Sequence, residues 1–86
     1  MDQSFLQFKE RLDENYKWPA TYTFKFVVPE TKRGSLLTLL PMGDISERAS
    51  SSGKYVSITI KSRMGSSDQV IAAYKKVSSL EGVITL

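Results

Sequence analysis

Two stretches in which large apolar side chains alternate with mostly polar ones constrain the fold of this 86-residue chain more than any other feature. They span residues 21–28 and 54–61. Successive side chains of a β-strand point to opposite faces, so a period of two predicts strands that are buried on one face only. The predicted buried sets are Tyr22, Phe24, Phe26 and Val28 in the first strand and Val56, Ile58 and Ile60 in the second.

A short helix is predicted ahead of the first strand. Phe5, Phe8 and Leu12 recur at helical spacing, and Ser4 is placed to cap the helix N-terminus. The helix must end before Trp18-Pro19, because the residue before a proline avoids the helical conformation. This arm could cover the edge of its own core or contact a neighbouring chain.

Two further helices are predicted. One begins at Glu30-Thr31, after Pro29, and ends before Pro41 and Gly43. The other is capped by Ser66 or Ser67, carries Asp68 in its first turn and runs to about Ser79. Their apolar sides consist of Leu36, Leu37, Leu39 and Leu40 in the former and Val70, Ala73, Tyr74 and Val77 in the latter.

The remaining segments complete a βαββαβ order. Residues 50–53, Ser-Ser-Ser-Gly, indicate a turn that joins residues 44–49 to the second alternating stretch as a hairpin, although 44–49 has a poor composition for a strand. Residues 83–86 predict a closing strand after Gly82. The order predicts an α+β, ferredoxin-like domain over residues 18–86, preceded by a helical arm over 1–17. Its four-stranded antiparallel sheet has two helices on one face.

The composition excludes the commonest catalytic and metal sites. The chain has no Cys and no His, so it cannot form a disulfide, a usual zinc site, or a Ser-His or Cys-His nucleophile system. The carboxylates show no paired arrangement, and we therefore predict a non-enzymatic protein with no metal and no cofactor. The start lacks a basic leader segment and a sustained apolar stretch, which predicts no membrane span and a cytoplasmic location.

A sheet that is covered on one side leaves its other face for a ligand or a partner. The candidate surface is the polar side of the two main strands and their approach: Lys25, Lys54, Tyr55, Ser57, Thr59 and Lys61. We expect it to bind a small effector or a protein partner, or to pair two copies of the chain through sheet edges or faces. The three lysines are also compatible with an ordinary solvated surface.

An RNA-binding surface is the alternative function. It is suggested by the net charge of +3 and by the Lys and Tyr residues of the second strand. RNA-recognition sheets stack bases on exposed aromatic side chains, whereas the alternation here places Phe24 and Phe26 in the buried set. Tyr55 alone remains for the exposed face, so nucleic acid is the less favoured partner.

Several stretches resemble the YbeD-like family of small bacterial proteins, a domain of unknown function. They are Trp-Pro-Ala-Thr-Tyr at 18–22, Phe-Lys-Phe at 24–26, Ser-Ser-Gly-Lys-Tyr-Val-Ser-Ile-Thr at 51–59 and the helix at 70–74. The resemblance implies a ferredoxin-like domain similar to ACT regulatory modules, which bind amino acids or other effectors and pair through their sheets. It implies no established activity. The turn Val28-Pro29-Glu30 lacks the glycine that lets an effector approach in ACT modules.

Overall fold

The computed structural model describes residues 3–86, with side chains from Phe5 onward. The elements are α1 (Gln3–Asn15), β1 (Ala20–Pro29), a 3₁₀ turn (Glu30–Lys32) that leads into α2 (Arg33–Leu39), β2 (Asp44–Ala49), β3 (Tyr55–Met64), α3 (Ser67–Ser78) and β4 (Ile84–Thr85). The strands form one antiparallel sheet in the order β2-β3-β1-β4. The predicted α+β, ferredoxin-like architecture is confirmed.

β1 and β3 form the centre of the sheet. They pair without a bulge from Ala20 opposite Met64 to Pro29 opposite Tyr55. The even-numbered positions of β3 from Val56 onward are buried, as the alternation predicts. β3 continues past its predicted end because the polar Ser62 is itself buried, where its hydroxyl donates a 2.6 Å hydrogen bond to the Met42 carbonyl.

The helices cover one face of this sheet and enclose the core with it. The buried apolar residues are Leu12, Phe24, Phe26, Val28, Leu36, Val56, Ile58, Ile60, Met64, Val70, Ile71, Ala73 and Val77. α2 is shorter than predicted, since the 3₁₀ turn replaces its first residues and Leu40 already has an extended backbone ahead of Pro41. Leu36 is its one fully buried side chain.

The N-terminus of α3 resolves the choice between two candidate caps. The Ser66 side chain accepts a hydrogen bond from the backbone N–H of Gln69 at 3.3 Å. The Gln69 side-chain oxygen in turn accepts from the Gly65 N–H at 2.7 Å, so the two side chains satisfy backbone donors at both sides of the cap. Ser67 is instead buried inside the first turn.

α1 packs on its own domain. Leu12 is buried in the core, and the Phe8 ring meets the Tyr74 ring of α3 edge-on at 5.6 Å. The helix ends ahead of Trp18-Pro19, as predicted. The peptide bond between these two residues is cis. The helix begins at Gln3, so Ser4 lies within it and does not precede it. The Ser4 side chain, which was expected to cap the helix, lies outside the described side chains. Of the two roles left open for the arm, covering the edge of its own core is the one the structure shows.

Polar contacts fasten α1 to α3. The Lys9 ammonium lies 2.8 Å from the Ser67 hydroxyl and 3.2 Å from the Asp68 carboxylate, and it also pairs with Asp13 at 3.5 Å. The Trp18 indole N–H donates to Asp13 at 2.9 Å. The pKa of Asp13 is lowered from its usual value. The main cause is the hydrogen bond from the Ser67 hydroxyl, followed by the Trp18 N–H and the charge of Lys9.

Replacing Asp13 by asparagine is expected to lower the midpoint of thermal unfolding at pH 7. A depressed folded-state pKa means that the ionised carboxylate stabilises the fold above the unfolded pKa of about 4, and that this contribution is lost as the pH falls through the folded value. The difference from wild type should therefore shrink below about pH 4. Thermal melts by circular dichroism across this range measure it.

Glu10→Gln is the matched control for Asp13→Asn. Glu10 is exposed on the same helix, and its side chain makes no hydrogen bond or ion pair in the described part of the chain. Its replacement should leave the unfolding midpoint nearly unchanged at every pH. An Asp13→Asn deficit of the same size at pH 2 and pH 7 would contradict the assignment.

Candidate functional site

One face of the sheet has no covering element among residues 3–86. Side chains that alternate with the core positions form this surface, which we call the open face. Its members, assigned from the strand registers and burial, are Thr21, Thr23, Lys25 and Val27 of β1, Asp44, Ser46 and Arg48 of β2, Tyr55, Ser57, Thr59, Lys61 and Arg63 of β3, and Ile84 of β4.

Five of the six predicted surface residues lie on the open face. Lys25 is directly opposite Thr59, and Lys61 is opposite Thr23, so the two lysines are diagonal neighbours across the central strands. Ser57 and Tyr55 continue the same row of β3. The structure therefore brings together the residues that the alternation predicted to share a face.

Lys54 does not belong to the open face. The hairpin closes where the Ser50 N–H donates to the Tyr55 carbonyl at 2.9 Å, and β3 begins at Tyr55. Lys54 lies one position earlier, in the connection between the strands. It is two positions from the buried residue Val56, so the alternation assigns it to the core side of the sheet and not to the open face. The predicted stripe of three lysines is reduced to two on this surface.

Sequence reasoning missed the contributions of β2 and of the end of β3. Arg48 and Asp44 reach the open face because they pair with Ser57 and Lys61. Arg63 lies opposite Thr21 at the other end. The charged side chains of the open face are thus four basic residues, Lys25, Arg48, Lys61 and Arg63, and one acidic residue, Asp44.

Shallow hollows follow the open face between its strands. One of about 540 Å³ lies at the hairpin end and is lined by Val27, Arg48, Tyr55 and the hydroxyl-bearing Ser50, Ser51 and Ser57. Two smaller hollows, of about 330 and 260 Å³, extend it past Lys25 and Lys61. Tyr55 is 46% exposed, and Arg48 is exposed as well. An aromatic ring and a guanidinium are therefore both accessible to a partner there.

A separate groove of about 570 Å³ lies on the helix side, between the end of α2 and α3. Its lining is mainly apolar, with Leu39, Leu40, Pro41 and Ala72, and it includes the ammonium-bearing Lys76. It holds no acidic or nucleophilic pair. Its residues complete the edge of the core rather than converge on a point.

Several charged and phenolic groups elsewhere make structural contacts. The Arg33 guanidinium pairs with Glu47 on the helix side, with a 2.7 Å contact to Oε2, and the hydrogen bond from Arg33 is the main cause that lowers the pKa of Glu47. Burial raises the pKa of the Tyr74 phenol far above its usual value, and its oxygen lies 3.0 Å from that of Tyr22. The Tyr74 phenol therefore stays protonated and is unsuited to act as a base.

No cluster of metal-ligating side chains is present in the described part of the chain. No three acidic side chains converge there to hold a metal ion, and the chain has neither Cys nor His to supplement them. The open face can therefore offer hydrogen bonds, cationic groups and an exposed ring. This chemistry is suited to binding a partner.

The fold and this surface define a small α+β domain of ferredoxin-like type. The chain belongs to DUF493, a family described as protein of unknown function, whose model matches residues 13–86. It is similar to a UPF0250 protein of Shewanella piezotolerans, with 34% identity across 85% of this chain and 91% of the relative. The predicted membership of a small bacterial family without known function is confirmed at that level.

The remaining comparisons add no activity. No solved structure matches the chain significantly. Among residues 3–86, no helix has the length and apolar character needed to cross a membrane. The family match begins near the end of α1, so most of the helix that packs on Tyr74 lies ahead of the matched region.

Proposed function

We propose that this protein is a cytoplasmic, non-enzymatic interaction module whose open face binds an acidic segment of a partner protein. The observation that carries the proposal is the charge of that face, where four basic side chains stand against Asp44 alone. A basic surface attracts acidic partners and speeds their association. Regulation by such binding is the function that the likeness to ACT modules would imply.

The shape of the surface favours a protein over a small effector. Small-molecule sites are concave and enclose most of the ligand, whereas the hollows around Tyr55 and Lys25 are open to solvent and share Arg48 and Ser57 in their linings. Protein interfaces are flatter, and Tyr and Arg are enriched in them. Tyr55 and Arg48 line the same hollow, with the half-exposed apolar Ile84 on the neighbouring edge strand.

The aromatic residues favour an acidic protein over RNA. Phe24 and Phe26 are fully buried, as the alternation predicted, and cannot stack on bases. Among the described residues, Tyr55 is the aromatic side chain of the open face. One ring offers a hot spot for a peptide but no platform for successive bases.

An amide NMR titration of labelled protein tests the proposal. The probes are an acidic peptide of alternating glutamate and leucine and, separately, a short single-stranded RNA. We expect the peptide to shift the amides of Lys25, Tyr55 and Lys61, and the double change Tyr55→Ala, Lys61→Ala to weaken binding by roughly tenfold or more. Peptide binding should also weaken as salt is added.

Lys76→Ala is the matched control, because Lys76 is an exposed lysine of α3 on the opposite side of the domain. It should leave the peptide affinity within about twofold of wild type. Shifts confined to the helix side, or an affinity unchanged in the double variant, would refute the surface assignment. Tighter binding of the RNA than of the peptide would establish the alternative function.

A further inference from the structure

β2 is an outer edge of the sheet. It pairs with β3 on one side, and no described strand lies on its other side. All six of its residues are exposed, including the apolar Ile45 at 45%. An exposed edge presents unpaired backbone N–H and C=O groups, which is the requirement for adding a further strand.

The hydrogen-bond phase shows which groups of β2 point outward. In an antiparallel ladder, bonded pairs recur at every second residue, and the Ser50 N–H to Tyr55 carbonyl bond fixes that phase. It directs the backbones of Ser46 and Arg48 toward β3 and those of Ile45 and Glu47 outward. On the other side of β3, the bond from the Glu30 N–H to the Lys54 carbonyl has the complementary phase.

We propose that two copies of this chain pair through β2 in an antiparallel register with Ser46 opposite Ser46. In that register Ile45 of one copy faces Glu47 of the second copy, and these residues exchange their outward backbone bonds in both directions. Asp44 then lies opposite Arg48 on the open-face side, and the two-fold axis generates this pair twice. The strand is therefore complementary to itself in charge as well as in backbone.

The neighbouring registers lack this complementarity. A shift in one direction places Glu47 opposite Glu47 of the second copy, and like charges directly opposite each other destabilise a ladder. A shift in the other direction places Ile45 opposite Ile45 and separates Asp44 from Arg48. A shift by a single position sets outward backbone groups against inward ones. Charge and hydrogen-bond phase thus select one register.

The pairing concerns the edge strand and shares Asp44 and Arg48 with the open face. It would join two four-stranded sheets into one eight-stranded sheet and place the two open faces side by side. Tyr55, Lys25 and Lys61 do not belong to β2, so they remain available in the pair. Loss of peptide binding in the Tyr55→Ala, Lys61→Ala variant can therefore be measured separately from loss of pairing, because neither residue lies in β2.

Sedimentation equilibrium of the full chain tests the charge pairs. Arg48→Asp places two aspartates opposite each other at both ends of the interface and should raise the dimer dissociation constant by roughly tenfold or more. The double change Asp44→Arg, Arg48→Asp restores opposite charges and should restore the wild-type constant. Lys25→Asp makes the same change of charge away from β2 and should alter it far less. A wild-type monomer at millimolar concentration, or no rescue by the double change, would overturn the proposal.

Hydrogen exchange tests the register through the backbone. The amides of Ile45 and Glu47 should exchange more slowly as the protein concentration rises from micromolar to millimolar, because only the second copy accepts their bonds. The amides of Ser46 and Arg48 are bonded within the chain and should not respond to concentration. Exchange of Ile45 and Glu47 that does not depend on concentration would exclude this pairing.

Discussion

Replacing Phe24 by alanine is expected to lower the free energy of unfolding by about 3–5 kcal/mol. Phe24 is fully buried at the centre of β1, and its ring lies 4.8 Å from the Tyr22 ring and 5.1 Å from the Tyr74 ring. Alanine would remove these contacts and leave a cavity that the rigid central ladder cannot close. Urea unfolding followed by circular dichroism measures the change.

Two controls distinguish packing from a general effect of substitution on β1. Phe24→Leu keeps most of the buried volume and should cost clearly less than alanine. Lys25→Ala, at the adjacent open-face position, should change the stability by no more than about 0.5 kcal/mol. A Phe24→Ala loss similar to that of Lys25→Ala would show that the position is not part of a packed core.

Replacing Gly43 by alanine is expected to cost about 2–3 kcal/mol, the second-largest effect. A Cβ atom at this position would clash with the backbone carbonyl of Lys61 and lie 3.1 Å from the Cα of Ser62. Backbone atoms of the central strand cannot move aside as a flexible side chain can. The displacement would also strain the hydrogen bond from Ser62 to the Met42 carbonyl.

Gly34→Ala is the matched control, with the opposite expected sign. Gly34 lies in α2, and a Cβ atom there meets nothing within 4 Å. Alanine has the higher helix propensity, so this change should stabilise the fold by about 0.5–1 kcal/mol. Urea unfolding of both variants gives the comparison, and equal stability of Gly43→Ala and wild type would contradict the close approach.

The parts of the fold that follow from local pattern could be predicted. Alternation over residues 21–28 identified the buried face of β1, and the turn at 50–53 identified the hairpin, because both depend on neighbours in sequence. The full length of β3 could not be predicted, since Ser62 reads as a surface residue. It is buried because its hydroxyl finds an acceptor at Met42, 20 residues away in the chain.

The candidate site was predictable on the central strands and not at its margins. Lys25 and Lys61 were placed correctly because β1 and β3 carry their own alternation. Arg48 reaches the open face only through the register of β2 on β3, and β2 is exposed at every position, so its sequence has no apolar period to read. The basic character of the surface therefore became visible only with the sheet assembled.

The unbroken alternation of β3 has a consequence for how such a domain can diversify. Its even positions, from Val56 to Met64, lie among the buried residues, and its odd positions, from Tyr55 to Arg63, form the surface. Substitutions at odd positions can change the chemistry of this surface without disturbing the packing. The core-facing and surface-facing positions of this strand can therefore change independently. A change of surface chemistry requires no change in the core.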